Sequence, residues 1–438
     1  MSSINRAVRQ ARTATNSVGT AVFSVSAERQ LNRLTLASML WEKQFYLDGK
    51  TQAELIADLV TKVAPEKVAA LAERARGAYK LRHMPLLLVR ELARAGKLQA
   101  QTLTNVVQRP DEMSEFLSIY WKEGKSAVSN QVKKGLAACF NKFNEYQLAK
   151  WNKNNAAVKL RDVMFLSHPK PQNAEQAALF QRIAMDALET PDTWETQLSN
   201  GADKRETFTR LMAEKKLGAL AFLRNLRNMR DSGVAYDLIR QYGASVNVER
   251  VLPFRYIAAA RIVPEFEDML ESMMFRSLET HEKLPGKTVL VIDVSGSMFG
   301  TKISAKSDLD QFDAAVALAM LCREICEEVE IYSFSGNAVR VAPRRGFALR
   351  EAISSSQGHG GTNLGSSMKT IDTASKYQRV IVFTDEQSYD RPGAPKGKGY
   401  IVNVASYQNG VNHAAWNEIN GFSEAVISYI QTLEREDV

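Results

Sequence analysis

Cysteine is nearly absent: Cys139, Cys322 and Cys326 are the only three in 438 residues. So few thiols make neither a disulfide framework nor a thiolate metal site, and they suit a reducing cytoplasm. Cys322 and Cys326, four apart in a helical pattern, point to a core. Histidine is scarce too, and His83, His168, His281, His359 and His413 fall in no triad or metal spacing. No Gly-x-Ser-x-Gly elbow is present. The longest apolar runs, such as "VLVI" and "VIVF", are far below the roughly 18 residues needed to cross a bilayer, so no membrane partner is expected. Acid is missing from the start, where Arg6, Arg9 and Arg12 precede the first carboxylate, Glu28. Residues 1–25 read as a flexible basic arm rather than a transit peptide. What remains, 45% hydrophobic and 24% charged, is the make-up of a soluble globular protein too long for one core.

Charge is unevenly spread. Residues 283–438 hold 16 Lys and Arg against 18 Asp and Glu, so the overall +8 leaves +10 on residues 1–282. A basic first part beside a near-neutral second part suggests a polyanionic partner for the first.

From residue 26 to 282 the apolar spacing is helical almost throughout. "PEKVAALAERARGAYK" and "MPLLLVRELARAG" are two of many short amphipathic helices, with Pro65 in a first turn and Gly96 at a C-terminal cap. Short links and little strand signal predict an α-solenoid of helical pairs, although no repeat consensus is legible. Beyond residue 283 the pattern changes. "TVLVID", "EVEIYSFS", "AVRVAP", "RVIVFTDE" and "KGYIVNVAS" read as strands. "DQFDAAVALAMLCREIC", "NLGSSMKTIDTASKY" and "SEAVISYIQTLERE" read as helices. Such alternation predicts a doubly wound α/β domain over 283–438, its parallel sheet covered on both faces.

In such a sheet ligands bind beyond the carboxyl ends of the strands. Asp293, Ser295 and Ser297 in "DVSGS" fall there, as does Asp385 after "VIVF". Between them, "GHGGTNLG" brings Thr362 just ahead of a helix. Two carboxylates and three hydroxyls, with no sulfur, suit Mg²⁺ or Mn²⁺ rather than zinc. A phosphohydrolase built on Asp-x-Asp is disfavoured, because Ser295 stands where its general acid would be. The glycine-rich loop also lacks the lysine of a phosphate-binding P-loop. No catalytic residues are assigned, and the protein is not expected to be an enzyme.

Asp-x-Ser-x-Ser, a threonine in a glycine-rich loop and Thr-Asp after a later strand resemble the metal-ion-dependent adhesion site of von Willebrand factor type A domains. The resemblance implies that Ser295, Ser297 and Thr362 give hydroxyls to the ion while Asp293 and Asp385 hold its waters. It also implies a coordination position open to an acidic group of a partner. Ahead of that domain, "KLRHMPLLLVRELA", "VKLRDVMFLSHPKP", "LGALAFLRNLRNM" and "VLPFRYIAAAR" resemble the TROVE module of the Ro autoantigen family, including its bacterial members. That family implies a closed ring of HEAT-like helical pairs whose two ends the type A domain clasps. It implies a monomer that binds small non-coding Y RNA on an outer basic surface and takes single-stranded ends of misfolded RNA into the hole. Its members serve RNA quality control or stability without being catalysts, and bacterial ones tether an exoribonuclease through Y RNA.

The residues carry an RNA reading of their own. Lys133, Lys134, Lys142, Lys150, Lys153, Lys159, Arg161 and Lys170 crowd one segment against only Glu145 and Asp162. Phe140, Phe143, Tyr146 and Trp151 are interleaved with them. Cations there would neutralise phosphates, and any exposed ring would stack a base. The two phenylalanines, three apart, read better as core. By resemblance, Lys150 and His168 match a lysine and a histidine that contact Y RNA. The family's arginine falls near Asn154, with Lys153 adjacent, so the match is incomplete. His168 reads equally as a helix cap. Arg224, Arg227 and Arg230 recur every third residue along a helix, either lining the hole or bonding to neighbouring helix ends. The rival reading is a protein-adhesion module that uses the metal site and needs no RNA.

Overall fold

The computed structural model describes residues 14–15, 21–22, 26–36, 46–47, 50–152, 156–249, 251, 254–279, 281–302, 309–385, 388–404, 415–420 and 425–436. Most of the basic arm, residues 1–25, lies outside this set, as does Lys153. By contacts the chain divides into two compact units, Lys50–Leu217 and Met1–Gly49 together with Gly218–Val438.

The unit Lys50–Leu217 is helical. After α1 (Ala27–Leu36), which belongs to the other unit, come α2 (Gln52–Lys62), α3 (Pro65–Gly77), α4 (His83–Arg94), α5 (Ala100–Val106), α6 (Pro110–Tyr120) and α7 (Asn130–Phe140). Then follow α8 (Glu145–Trp151), α9 (Leu160–Ser167), α10 (Ala174–Ala184), α11 (Trp194–Ser199) and α12 (Lys204–Ala213). Pro65 opens α3, where its missing N–H costs nothing. Gly96, at φ +68°, closes α4, and the following Lys97 N–H returns to the Leu92 carbonyl at 2.9 Å. Side-chain caps start α7 at Ser129, α8 at Asn144 and α10 at Asn173.

From α2 to α9 each helix packs on the second one along, α2 on α4, α3 on α5, α5 on α7, and so on to α7 on α9. That pairing makes two alternating layers, the arrangement of an α-solenoid. Neighbours within a layer approach closely at Gly135 of α7, where a Cβ would lie 2.8 Å from the Ala100 carbonyl oxygen of α5. Phe140 and Phe143 are buried, as their spacing implies.

The other unit continues the helical pairing with α13 (Ala219–Asp231), α14 (Tyr236–Ser245), α15 (Phe254–Ile262) and α16 (Glu267–Leu278), α13 on α15 and α14 on α16. It then builds the sheet. Strands β1 (Leu284–Asp293), β2 (Cys326–Phe334), β3 (Ala338–Arg340), β4 (Arg379–Thr384), β5 (Lys398–Asn403) and β6 (Asn417–Asn420) stand in the order β6-β5-β4-β1-β2-β3. All neighbours are parallel except β2 and β3, which form an antiparallel edge pair. The sheet is therefore mixed at one edge, because β2 and β3 are joined by a turn too short for a crossover. Interleaved are α17 (Gln311–Ile325), α18 (Gly346–Ser354), α19 (Leu364–Ala374) and α20 (Ala425–Glu436). The helix α18 and the strand β6 were not among the sequence expectations. Cys322 and Cys326 are buried.

Helices on both sides of residue 283 share this unit's core. Arg261 of α15 pairs with the buried Asp313 at the start of α17, which Arg350 of α18 also reaches at 3.1 Å. Glu271 of α16 accepts the Phe347 N–H at 2.8 Å. At the opposite sheet edge, α1 packs against β6. Among the described residues no helix is long and apolar enough to cross a membrane.

Candidate metal centre and RNA face

β1 runs apolar and buried to Asp293, and its last residue ends flush with Phe334 of β2. The chain leaves the sheet there because the Val294 N–H makes one more bond, to Phe334 O at 2.9 Å, and no further ladder follows. Asp293 is fully buried. Its Oδ1 accepts the Ser295 N–H at 2.9 Å, and its Oδ2 accepts the Thr384 hydroxyl at 2.6 Å. Ser295 and Ser297 bring their hydroxyl oxygens to 3.2 Å from one another. Ser295 is buried and Ser297 exposed, so the pair runs from the interior to the surface.

The glycine-rich loop is stitched to this turn. Gly296 N–H meets Gly360 O at 3.4 Å, and the His359 ring nitrogen Nδ1 lies 2.8 Å from Val294 O. A Cβ on Gly296 would lie 3.3 Å from the His359 carbonyl oxygen, a tight contact. Thr362 is buried, and its carbonyl accepts from Tyr389 N–H at 2.9 Å and from the Ser388 hydroxyl at 3.2 Å. Asp390 caps α19 behind it through the Gly365 and Ser366 N–H groups, each at 2.7 Å. Asp385, buried at the end of β4, completes the set. Burial pushes the Asp293 carboxyl up to about 7, and the Asp385 charge adds to that rise. Two buried carboxylates whose charges repel, with hydroxyl side chains on the same turns and loops, are a hard-oxygen set that fits a divalent cation. His359 and Ser388 escaped the sequence reading, since nothing in their spacing shows that they brace these loops, and Thr384 entered it only as part of the Thr-Asp motif, without its bond to Asp293.

The lysine segment lies on α7, α8 and α9. Lys134, Lys150, His168 and Lys170 are exposed, and Lys133, Lys159 and Arg161 half-buried. Among the described residues none of Lys133, Lys134, Lys150, Lys159, Arg161 and Lys170 is in an ion pair, in contrast to Arg76, Arg82, Arg109, Arg182 and Arg210, which all are. Lys142 departs from the expected face. Its ammonium donates to the Thr104 carbonyl at 2.6 Å and to the Val107 carbonyl, capping the end of α5, and burial lowers its pKa. His168 closes α9 in the left-handed region, at φ 49°, with its N–H on Met164 O at 2.9 Å. Tyr146 is exposed, and Lys150 sits 5.8 Å from its ring centre and 5.9 Å from that of Trp151.

Along α13, Arg224 and Arg227 are exposed and line a groove of about 280 Å³ with Arg255 and the exposed apolar Leu220 and Ile262. No acid lines it. Arg230 departs from them, pairing with Asp231 at 2.8 Å and Glu265 at 3.3 Å and reaching the Ile262 carbonyl at 3.3 Å. It bonds to a neighbouring helix end, one of its two expected uses.

Residues 184–290 match the TROVE domain and residues 288–387 the von Willebrand factor type A domain. Over those residues the chain is thus similar to a TROVE domain followed by a type A domain. Among solved structures, the crystal structure of the Deinococcus radiodurans RO (RSR) protein is similar in fold, with a TM-score of 0.65 at 17% identity over 94% of this chain and 100% of that one. No curated protein sequence matches the chain.

Proposed function

We propose that the protein binds RNA, without catalysing a reaction on it, through the lysine face of α7–α9. The observation that carries this reading is the set of lysines there without acidic partners among the described residues, in a unit where Arg76, Arg82, Arg109, Arg182 and Arg210 are all paired. Ammonium groups left without a partner are solvated and available to phosphates, whose neutralisation releases counterions. The RNA is a small structured non-coding species, Y RNA-like. The groove of Arg224, Arg227 and Arg255 takes single-stranded ends, its guanidiniums meeting phosphates while Leu220 and Ile262 pack on bases. In the full reading the helical pairs close as a ring in a cytoplasmic monomer. The complex serves RNA quality control or stability and recruits an exoribonuclease through the RNA.

The type A domain would hold a divalent ion, Mg²⁺ before Mn²⁺, on Ser295, Ser297 and Thr362, with Asp293 and Asp385 accepting from its waters. The ion would supply a Lewis-acid position for an oxygen of a partner. Charge reversal at Lys133 and Lys134 is expected to weaken RNA binding more than Asp293→Ala does, as measured by fluorescence anisotropy with a labelled single-stranded RNA. The opposite ranking would make the metal site the RNA platform.

A second reading has its own observation. Tyr389 is 84% exposed on the loop that braces Thr362, the kind of aromatic that anchors protein interfaces. On that reading the metal site captures an acidic residue of a partner protein. Affinity recovery with nuclease or with chelator separates the two: partners lost to nuclease favour RNA, and partners lost only to chelator favour adhesion.

A further inference from the structure

Between the end of α8, the 186–193 loop and the start of α11 lies a cavity of about 510 Å³. Its lining carries both signs of charge, with Lys150 and the Trp151 ring beside the carboxylates of Asp186, Glu189 and Glu195. Trp151 is held in place from behind. The Arg109 guanidinium lies 3.7 Å from its ring centre and is itself fixed by two bonds to Asp111, at 3.1 and 2.6 Å. Glu189 and Glu195 are exposed, and neither is in an ion pair among the described residues. Asp186 meets the Asn152 amide at a long 3.5 Å.

We propose that this cavity is a nucleobase pocket that selects an unpaired guanine of the bound RNA. The inference rests on the RNA-binding reading and adds to it a base preference. A nucleotide offers both kinds of partner: an anionic phosphate for Lys150 and a base for Trp151, where an aromatic face favours stacking. A phosphate is repelled by the three carboxylates. A cationic peptide, the other ligand that carboxylates attract, meets the surrounding lysines first.

Among the bases, guanine alone offers two parallel donors, N1–H and the 2-amino group, to a single carboxylate. Such a bidentate bond to an ionised acceptor is among the stronger hydrogen bonds. Uracil would bring carbonyl oxygens against the carboxylates. Cytosine and adenine each offer one amino group beside a ring acceptor, and so form half of the pairing.

The test compares labelled decauridylate with decamers carrying one central guanosine or one central inosine, by fluorescence anisotropy on the full chain. The guanosine decamer is expected to bind about tenfold tighter than decauridylate, since a hydrogen bond to a charged group is worth about that much. Inosine, which lacks the 2-amino group, should lose most of that gain. Glu189→Gln and Glu195→Gln give opposite signs for the two explanations of any effect. Simple charge removal near a polyanion tightens every decamer. The base pocket instead predicts that the guanosine decamer falls towards the decauridylate value in at least one variant while decauridylate does not weaken. Equal, salt-sensitive binding of all three decamers overturns the pocket and leaves the RNA reading standing. Uniform tightening in both variants also overturns the pocket. Binding of none of them overturns both. Both glutamates are exposed, so folding is not at stake, and a circular dichroism spectrum checks it.

Discussion

Arg379 is 2% exposed on β4, and its guanidinium pairs with Glu434 of α20 while also donating to Thr288 Oγ1 at 2.9 Å. Removing one partner of a buried pair leaves the other charge unmet, which costs about 3–5 kcal/mol. Arg379→Met is therefore expected to lower stability by that order in urea unfolding, and a loss under about 1 kcal/mol would show the pair to be dispensable. Asp293 sets a pH dependence of definite sign. Its carboxyl titrates near 7 in the fold against an ordinary 3.8, because burial disfavours the charge. Between those values the folded chain keeps a proton that the unfolded chain has released. Stability should therefore fall as pH rises from about 4 to about 7, then level off. Thermal melts of chelator-treated protein should show that slope relative to Asp293→Asn, which removes the titration. Identical profiles for the two proteins would count against it. Adding a divalent cation should flatten the slope.

Elements differ in how much of them is written in their own residues. β1 and β4 are continuous apolar runs and legible at once, as are helices with Pro65 or Gly96 at their ends. β6, "NEIN", is polar and becomes a strand only by pairing with β5, and α18 is a short helix with a glycine start. Neither carries a period long enough to read. The residues proposed for the metal centre fall just beyond strand ends of a parallel sheet or in the glycine-rich loop stitched to them, so their pattern was legible as a candidate site. The loops that brace them were not, since loop contacts are made in three dimensions. Side-chain direction was equally hidden, and Lys142 and Arg230 turn to carbonyls and acids that no spacing reveals. Gly135 is the sharpest element-scale constraint. Gly135→Ala gains helix propensity of about 1 kcal/mol at most. It also drives a methyl against the Ala100 backbone carbonyl, which cannot rotate away. A net loss of about 1–3 kcal/mol is expected in chemical denaturation. Unchanged stability would show that α5 and α7 can separate freely.

At the scale of the molecule, the +10 carried by residues 1–282 is a field that draws in polyanions, and the lysines of α7–α9 contribute to it without acidic partners. Residues 283–438, with 16 basic and 18 acidic side chains, contribute no net positive charge to it. The measurement that goes most directly to this division is the dependence of RNA affinity on monovalent salt. With about five phosphates of a single strand neutralised, log K against log salt should fall with a slope of about −3 to −4. The slope should become shallower by about 1 to 2 when Lys133 and Lys134 are both replaced by glutamine. Affinity that hardly changes from low to moderate salt, or a slope untouched by those replacements, would contradict the account.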